Sequence, residues 1–407
     1  RQMCIRDRLS ATWLPPVIAP LSPLGILLST VWSPDPDGLD VTAYRIELED
    51  EGVYRIDRDW LTAQGLGAGE IDGLDLGDIR LYHLGQEAAV FVYDQNLDDQ
   101  LDAGDYIEFY GRPVNPTYAK YTRSNIYWLV TGGIASPARM GTLDATPVGG
   151  ADPVTHIFTV HHEQDQTYIP KSPGGNNLDR WLFSAIAWGD WGGQQPGEEL
   201  VAVDFTIALP DVGGDDTGDL AIRMYGKYDS DHTVSIEVNG MGYGSHTWSG
   251  IGYSEAIIEN VDLLDGNNTV SITCTSNEDK ILFDYLEITY DREYTAAGDS
   301  LKFSHESGYR FQVSGFTGNG IIALDVTDSN DVQRLTNFDI SGGGPYTLDM
   351  QPPDAGSQDR TYYVLDDDQV LLPAGLQIDE ASSLADTAKG ADYILITHRL
   401  LGWDGGG

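Results

Sequence analysis

The run DLAIRMYGKYDSDHTVSIEVNG, residues 219–240, decides the fold class. Leu220, Ile222 and Met224 alternate with Ala221, Arg223 and Tyr225, and Val234, Ile236 and Val238 alternate with Ser235 and Glu237. A period of two is the mark of a strand that buries one face and wets the other. Asp229-Ser230-Asp231 separates the two runs and Asn239-Gly240 ends the second, both being turn chemistry. Outward from this pair, the same alternation predicts strands near Leu200–Ala208, Ser254–Val261, Asn268–Thr273 and Lys280–Tyr290, with Asp265-Gly266-Asn267 as a further break. Short strands at this spacing predict a two-sheet, jelly-roll-like β-sandwich over residues 151–295.

On the amino-terminal side, residues 41–150 read as a β-rich domain carrying an acidic loop. It opens with a hairpin, Tyr44–Leu48 and Val53–Ile56 around a Glu-Asp-Glu-Gly turn, followed by a short helix Arg58–Gln64. Strands are expected at Ile79–His83, Ala88–Tyr93, Tyr106–Tyr110 and Ile126–Thr131. On the other side, GYRFQVSGF, NGIIALDVTD and RTYYVLDDDQVLLPAGLQID give a smaller β module over residues 296–385. Residues 386–407 change character: SSLADTAKG just before and into them suggests a short helix, and ADYILITHRLL is a continuous apolar run. Such a run suits a strand buried on both faces, the truncated start of an α/β domain. The expected class is therefore mainly β, several sandwich modules followed by the first strand of an α/β domain.

Residues 1–40 are set apart. RQMCIRD reads as a translated sequencing adapter, and the apolar stretch Trp13–Trp32 is cut by Pro15, Pro16, Pro20 and Pro23, which a spanning helix of about 20 residues does not tolerate. The segment reads as an assembly artefact or a degraded signal region, and no transmembrane segment is evident. The whole chain of 407 residues carries 23 Lys+Arg against 64 Asp+Glu, a formal charge of −41, which excludes nucleic acid as a partner because phosphate backbones are bound through basic side chains. With 41% hydrophobic residues the acid coats folded domains rather than a disordered tail. Two cysteines, Cys4 and Cys274, build neither a disulfide framework nor a thiolate zinc site.

Four runs in order, LEDEGVYRIDRDWLTAQGL at 48–66, DQNLDDQLDAGDYIEFYGR with NIYWLVTGG at 94–133, ILFDYLEITYDREY at 281–294 and GADYILITHRLL at 390–401, resemble the gingipain-like cysteine peptidases. That family includes the signal-removing peptidase of type IX secretion. The resemblance covers the non-catalytic β-rich region that precedes a caspase-like peptidase domain. It implies a secreted or cell-surface bacterial protein, whose partners are the downstream peptidase domain of the parent chain and the parent's protein or peptide substrates. The family's His and Cys dyad lies beyond the GADYILITHRLL strand, so no catalytic residue is carried over. His398 follows that strand but precedes the family's dyad, and Cys274 lies mid-strand, where a thiol is buried and inert. Proteolysis is then the parent's function, and the fragment itself is expected to be inactive. The rival is a non-enzymatic surface module binding glycans or proteins through the sandwich, with Trp181, Trp188 and Trp191 as a stacking platform or as packing.

The strongest local chemistry is Asp94-Gln-Asn-Leu-Asp-Asp-Gln-Leu-Asp-Ala-Gly-Asp105. Asp94, Asn96, Asp98, Asp102 and Asp105 fall at positions 1, 3, 5, 9 and 12 of a twelve-residue calcium loop, with the carbonyl of Gln100 at position 7. Asp99 stands where such loops use Gly, Asp105 is shorter than the usual Glu, and strands flank the loop. The competing reading is a solvated acidic hairpin. His161-His162 beside Glu163 is a further metal pair to consider, but adjacent strand residues point to opposite faces.

Overall fold

The computed structural model describes residues 43–115, 122–131, 136–149, 152–169, 180–187, 201–276, 279–356 and 358–378. Residues 1–40, the apolar run with Asp392 and His398, the short helix expected over SSLADTAKG at 382–390, Trp188 and Trp191 lie outside them. Within them the protein is mostly strand, as the alternation predicts, and no caspase-like domain is shown.

The sandwich forms as two facing sheets. One runs Thr167–Tyr168, Trp181–Ala187, Lys280–Glu293, Thr217–Gly226, Gly252–Asp262, with Thr155–His162 also pairing on Lys280–Glu293. The other runs Ala202–Leu209, Gly266–Cys274, Asp231–Val238, Met241–Ser249. Inward rows such as Leu220, Ile222, Met224 and Val234, Ile236, Val238 meet Phe283, Ile288, Val270 and Ile272 in one core. Full burial of such side chains is worth about 1.5–3 kcal/mol each, which is what holds the two sheets together. The strand Met241–Ser249 is absent from the sequence reading. It carries Gly242 and Gly244 and is largely exposed, so it offers no apolar alternation.

In the amino-terminal module the expected hairpin does not form. Ala43–Leu48 pairs with Asn125–Thr131 and with Gly375–Ile378, whereas Gly52–Asp57 pairs with Tyr106–Gly111 in a different sheet. The acidic turn between them is a corner rather than a hairpin. Tyr54 fixes it, its hydroxyl donating to the Asp50 carbonyl at 2.9 Å and accepting from the Asp50 amide at 3.2 Å. Both strands need their inward faces buried, and the two sheets satisfy this by packing Ile46 and Leu48 against Ile56, Ile107 and Phe109. The helix forms over Arg58–Ala63 because the Asp57 side chain accepts from the Trp60 amide at 2.7 Å, capping a turn whose Trp60 and Leu61 are buried.

The third module holds an aromatic core of Phe303, Phe311, Phe316, Tyr294 and Tyr362 between its own two sheets. Sheet membership crosses between modules twice. Gly141–Asp144 lies parallel to Gln333–Thr336 in the third module, and Gly375–Ile378 returns to edge the first sheet beside Ala43–Leu48. A shared apolar layer of Val53, Tyr110, Met140, Ile322, Leu324 and Leu365 joins the two modules. Beside it Glu108, with no exposed surface, bridges Arg55 at 2.6 Å and Arg334 at 2.7 Å. Those guanidiniums lie over the rings of Tyr106 and Phe91 at 4.3 and 3.9 Å, so the buried carboxylate is fully matched.

Candidate functional site

The acidic loop closes on itself. Asp94 accepts from the backbone amides of Leu97 at 2.7 Å and Asp99 at 2.9 Å. Its slight desolvation is outweighed by these amides, and its carboxyl is held below the usual carboxylate range. Asp105, almost wholly buried, accepts from Gln95 and Asp102 amides at 2.8 and 2.9 Å, so positions 1 and 12 brace the turn. Asp98 accepts from the Gln100 amide, and the Asn96 side-chain amide reaches Asp98 at 3.0 Å and Asp102 at 3.4 Å. The Gln100 carbonyl accepts from the Asp102 amide at 3.1 Å. Asp99 takes φ 61°, the left-handed conformation that position 6 requires, which Asp tolerates better than most residues. Among the described residues no group of three or more His, Cys, Asp and Glu is arranged to hold a metal ion.

A second arrangement was not visible in the sequence. The alternation that turns Val234, Ile236 and Val238 inward also turns His232 inward, and the ring has no exposed surface. Its Nδ1 lies 2.7 Å from Asp279, equally buried, and its Nε2 lies 3.1 Å from the Tyr228 carbonyl and 3.2 Å from that of Gly250. Both ring nitrogens thus face oxygen acceptors. One side chain thereby ties together three connections at the same end of the sandwich: the crossover 227–230, the turn 249–252 and the crossover that ends at Asp279. Trp248 stacks on the ring with centroids 4.8 Å apart. Gly226 is required beneath it, because a Cβ there would meet His232 Nε2 at 2.3 Å. Sequence reasoning finds the inward His from its place in the alternating run, but Asp279 is 47 residues away and nothing local announces it.

Cys274 sits beside this pair. Its thiol is 2% exposed, 3.7 Å from the Ser276 carbonyl and 3.9 Å from Asp279. It ends the strand Gly266–Cys274 rather than lying mid-strand as expected, but it is buried as expected, and that burial pushes its pKa up and keeps it as a thiol. His161 and His162 point to opposite faces. His161 lies 2.8 and 2.9 Å from Glu163 and Glu287, and these two carboxylates raise its pKa against the opposing effect of burial. His162 meets the rings of Phe183 and Phe205 instead. Of the three tryptophans expected together, Trp181 is described, partly exposed and packed against Tyr168 at 5.2 Å.

No protein-family profile and no curated protein matches the chain. Among solved structures it is similar to dimeric latent PorU from Porphyromonas gingivalis, at 14% identity and a TM-score of 0.58, over 83% of this chain and 33% of that one. The chain thus spans about a third of that protein's length, and at this identity the likeness is one of fold. Smaller parts are similar to carbohydrate-binding modules. A CBM35 module from Cellvibrio japonicus matches at 20% identity and a TM-score of 0.23, over 33% of this chain and 97% of that one. A CBM36 domain of a xylanase from the hindgut metagenome of Trinervitermes trinervoides matches at 23% identity and a TM-score of 0.20, over 26% and 90%.

Proposed function

We propose that the chain is the β-rich, non-catalytic amino-terminal region of a secreted gingipain-like cysteine endopeptidase, and that peptide hydrolysis belongs to a peptidase domain of the parent protein beyond residue 378. The observation that carries this reading is the extent of the PorU likeness, 83% of the chain, which takes in all three β modules rather than one common sandwich. The ordered runs that resemble the family point the same way, and within the family both a degradative peptidase and a type IX signal peptidase fit. The region would brace and present the peptidase domain at the cell surface or outside the cell. Among the described residues no helix is long and apolar enough to cross a membrane. Thiol chemistry in the described part would have to come from Cys274, and its buried, proton-retaining setting supplies no nucleophile. The purified chain should therefore show no thiol-dependent peptide hydrolysis, and Cys274→Ser should shift its thermal midpoint by no more than about 3 °C, because Ser276 and Asp279 offer the new hydroxyl acceptors. Turnover abolished by Cys274→Ser would end this reading. The continuation of the reading frame tests it from the other side, a β-only extension without a His and a later Cys counting against it.

A second reading, a glycan- or protein-binding surface module, is favoured by the rigid loop end of the sandwich. Three connections anchored on His232 form a preorganised edge, the kind of surface on which sandwiches carry ligands.

A further inference from the structure

Where the chain leaves the strand Gly141–Asp144, it borders a cavity of about 320 Å³ on the third module, at the lower end of the size range of small-ligand pockets. Hydrogen bonds fix its frame. The Gln351 side chain accepts from the Val148 amide at 2.8 Å and donates to the carbonyls of Gly308 at 3.1 Å and Gly149 at 3.3 Å. The Gln351 amide donates to the Ala145 carbonyl at 2.9 Å, and the Ala355 amide donates to the hydroxyl of buried Ser307 at 2.8 Å. Three separate segments are thus held around one space before any ligand arrives. Gly308 takes φ 84°, the left-handed region that suits glycine, and an added Cβ would stand 3.0 Å from that of Asp354.

The lining offers two kinds of surface. Val148, Pro352 and Pro353 are aliphatic, Asp144 and Asp354 are carboxylates, and among the described residues no basic side chain and no aromatic ring lines the cavity. Each carboxylate is half used. Asp144 Oδ1 accepts from the Thr146 hydroxyl at 2.6 Å, the Thr146 amide at 3.1 Å and the Asn337 side chain at 3.3 Å, and these donors hold the group below the usual carboxylate range. Asp354 Oδ1 accepts from the Gly356 amide at 2.8 Å. Neither Oδ2 accepts a hydrogen bond among the described residues. Arg310, two residues past Gly308, is taken up by Asp349 at 2.5 Å and Asp152 at 3.5 Å.

We propose that this cavity binds a primary aliphatic ammonium group, carried by the side chain of a peptide lysine or by a free alkylamine. Its chemistry selects among cations. A metal such as calcium takes about six or more oxygens, and here the Gln351 side-chain oxygen and the Gly308 carbonyl are already engaged within the frame. A guanidinium pairs best with both oxygens of one carboxylate, whereas each Oδ1 is occupied. A quaternary ammonium is held by aromatic faces, which the lining lacks. A primary ammonium donates to single oxygens at separate points, and its methylene stem suits the walls of Val148, Pro352 and Pro353. The inference concerns the third module and stands or falls separately from the peptidase reading.

Calorimetric titration of the full chain with Nα-acetyl-lysine methylamide, its norleucine and arginine counterparts, and cadaverine tests it. Saturable binding of the lysine amide or of cadaverine is expected, and whichever binds more tightly identifies the source, peptide or free amine. The norleucine amide has the stem without the charge and should bind at least about tenfold more weakly, the worth of one charge-assisted hydrogen bond. The arginine amide should bind severalfold more weakly than the lysine amide. Asp144→Asn and Asp354→Asn keep the Oδ1 acceptor and remove the charge. Each should weaken the amine by about fivefold with the thermal midpoint unchanged, while Glu259→Gln, exposed on the sandwich, should not. No saturable binding of either amine, the norleucine amide bound equally well, arginine bound as tightly as lysine, affinity unchanged in both Asp variants, or displacement of the amine by an equal concentration of calcium would each overturn the proposal.

Discussion

At the residue scale, His156 shows how one side chain couples two modules. Its backbone belongs to the sandwich, pairing opposite Arg292, while its ring lies among Tyr294 and Phe303 of the third module, at 5.1 and 5.8 Å. The ring is 3% exposed, Nδ1 lies 3.3 Å from the Ile157 carbonyl, and Nε2 is buried without a partner. Burial, with Arg292 and His305 adding repulsion, pushes its pKa down to about 4. The native state therefore binds fewer protons than the unfolded chain between about pH 4 and 6.5, so this residue's stabilisation is complete above pH 6.5 and is lost as pH falls toward 4. Between pH 7 and pH 5 the loss should be roughly 2 kcal/mol, upper bound, from this group alone. Urea denaturation at both pH values should show that slope in the natural chain and a flatter one in His156→Phe. Parallel slopes would mean that other groups carry the acid sensitivity.

At the element scale, the strands that read clearly from sequence were those with one apolar face and turn residues at both ends, such as Asp231–Val238 and Thr217–Gly226. Tyr44–Leu48 and Val53–Ile56 read as strands and form strands, but they pair with distant segments instead of with each other. Local alternation fixes which face is buried and leaves open that Tyr44 pairs with Ile378, more than 300 residues away. The acidic loop was legible as a turn, and its left-handed Asp99 fits the spacing of a calcium loop, yet its carboxylates already satisfy the loop's own amides. We propose calcium as its ligand, with Asp94, Asn96, Asp98, Gln100, Asp102 and Asp105 supplying oxygen. Calcium at about 100 times Kd should then add roughly 2.7 kcal/mol to the stability of the full chain, and Asp94→Ala with Asp98→Ala should abolish that gain. Equal melting temperatures with calcium and with chelator would leave the loop as a self-satisfied acidic turn. The His232 and Asp279 pair is hidden in the sequence for a different reason: His232 stands near the start of Asp231–Val238 and Asp279 ends the crossover into Lys280–Glu293, and only the folded sandwich brings them together.

At the scale of the whole molecule, the first and third modules share strands, an apolar layer and the Arg55–Glu108–Arg334 bridge, while the sandwich between them leaves and rejoins at one place, Thr155 opposite Glu293. The sandwich is thus inserted into a composite body rather than strung between two neighbours. Replacing residues 153–293 by a linker of about four residues should leave a body that melts cooperatively, since paired strands hold the two cut ends roughly 5 Å apart. It should be less stable than the natural chain, because Tyr294 and Phe303 lose the His156 contact. Residues 152–295 alone should also melt cooperatively. Failure of both pieces to fold would show that the modules depend on each other throughout. The same geometry recurs one level out. Tyr44 faces Ile378 across an antiparallel pair, so the described body hangs from two strands whose outer ends lie side by side. A load applied between those ends would peel the Ala43–Leu48 and Gly375–Ile378 pairing one hydrogen bond after another instead of shearing all of them together. The Glu108 bridge and the joint apolar layer would bear no tension until that short seam had opened.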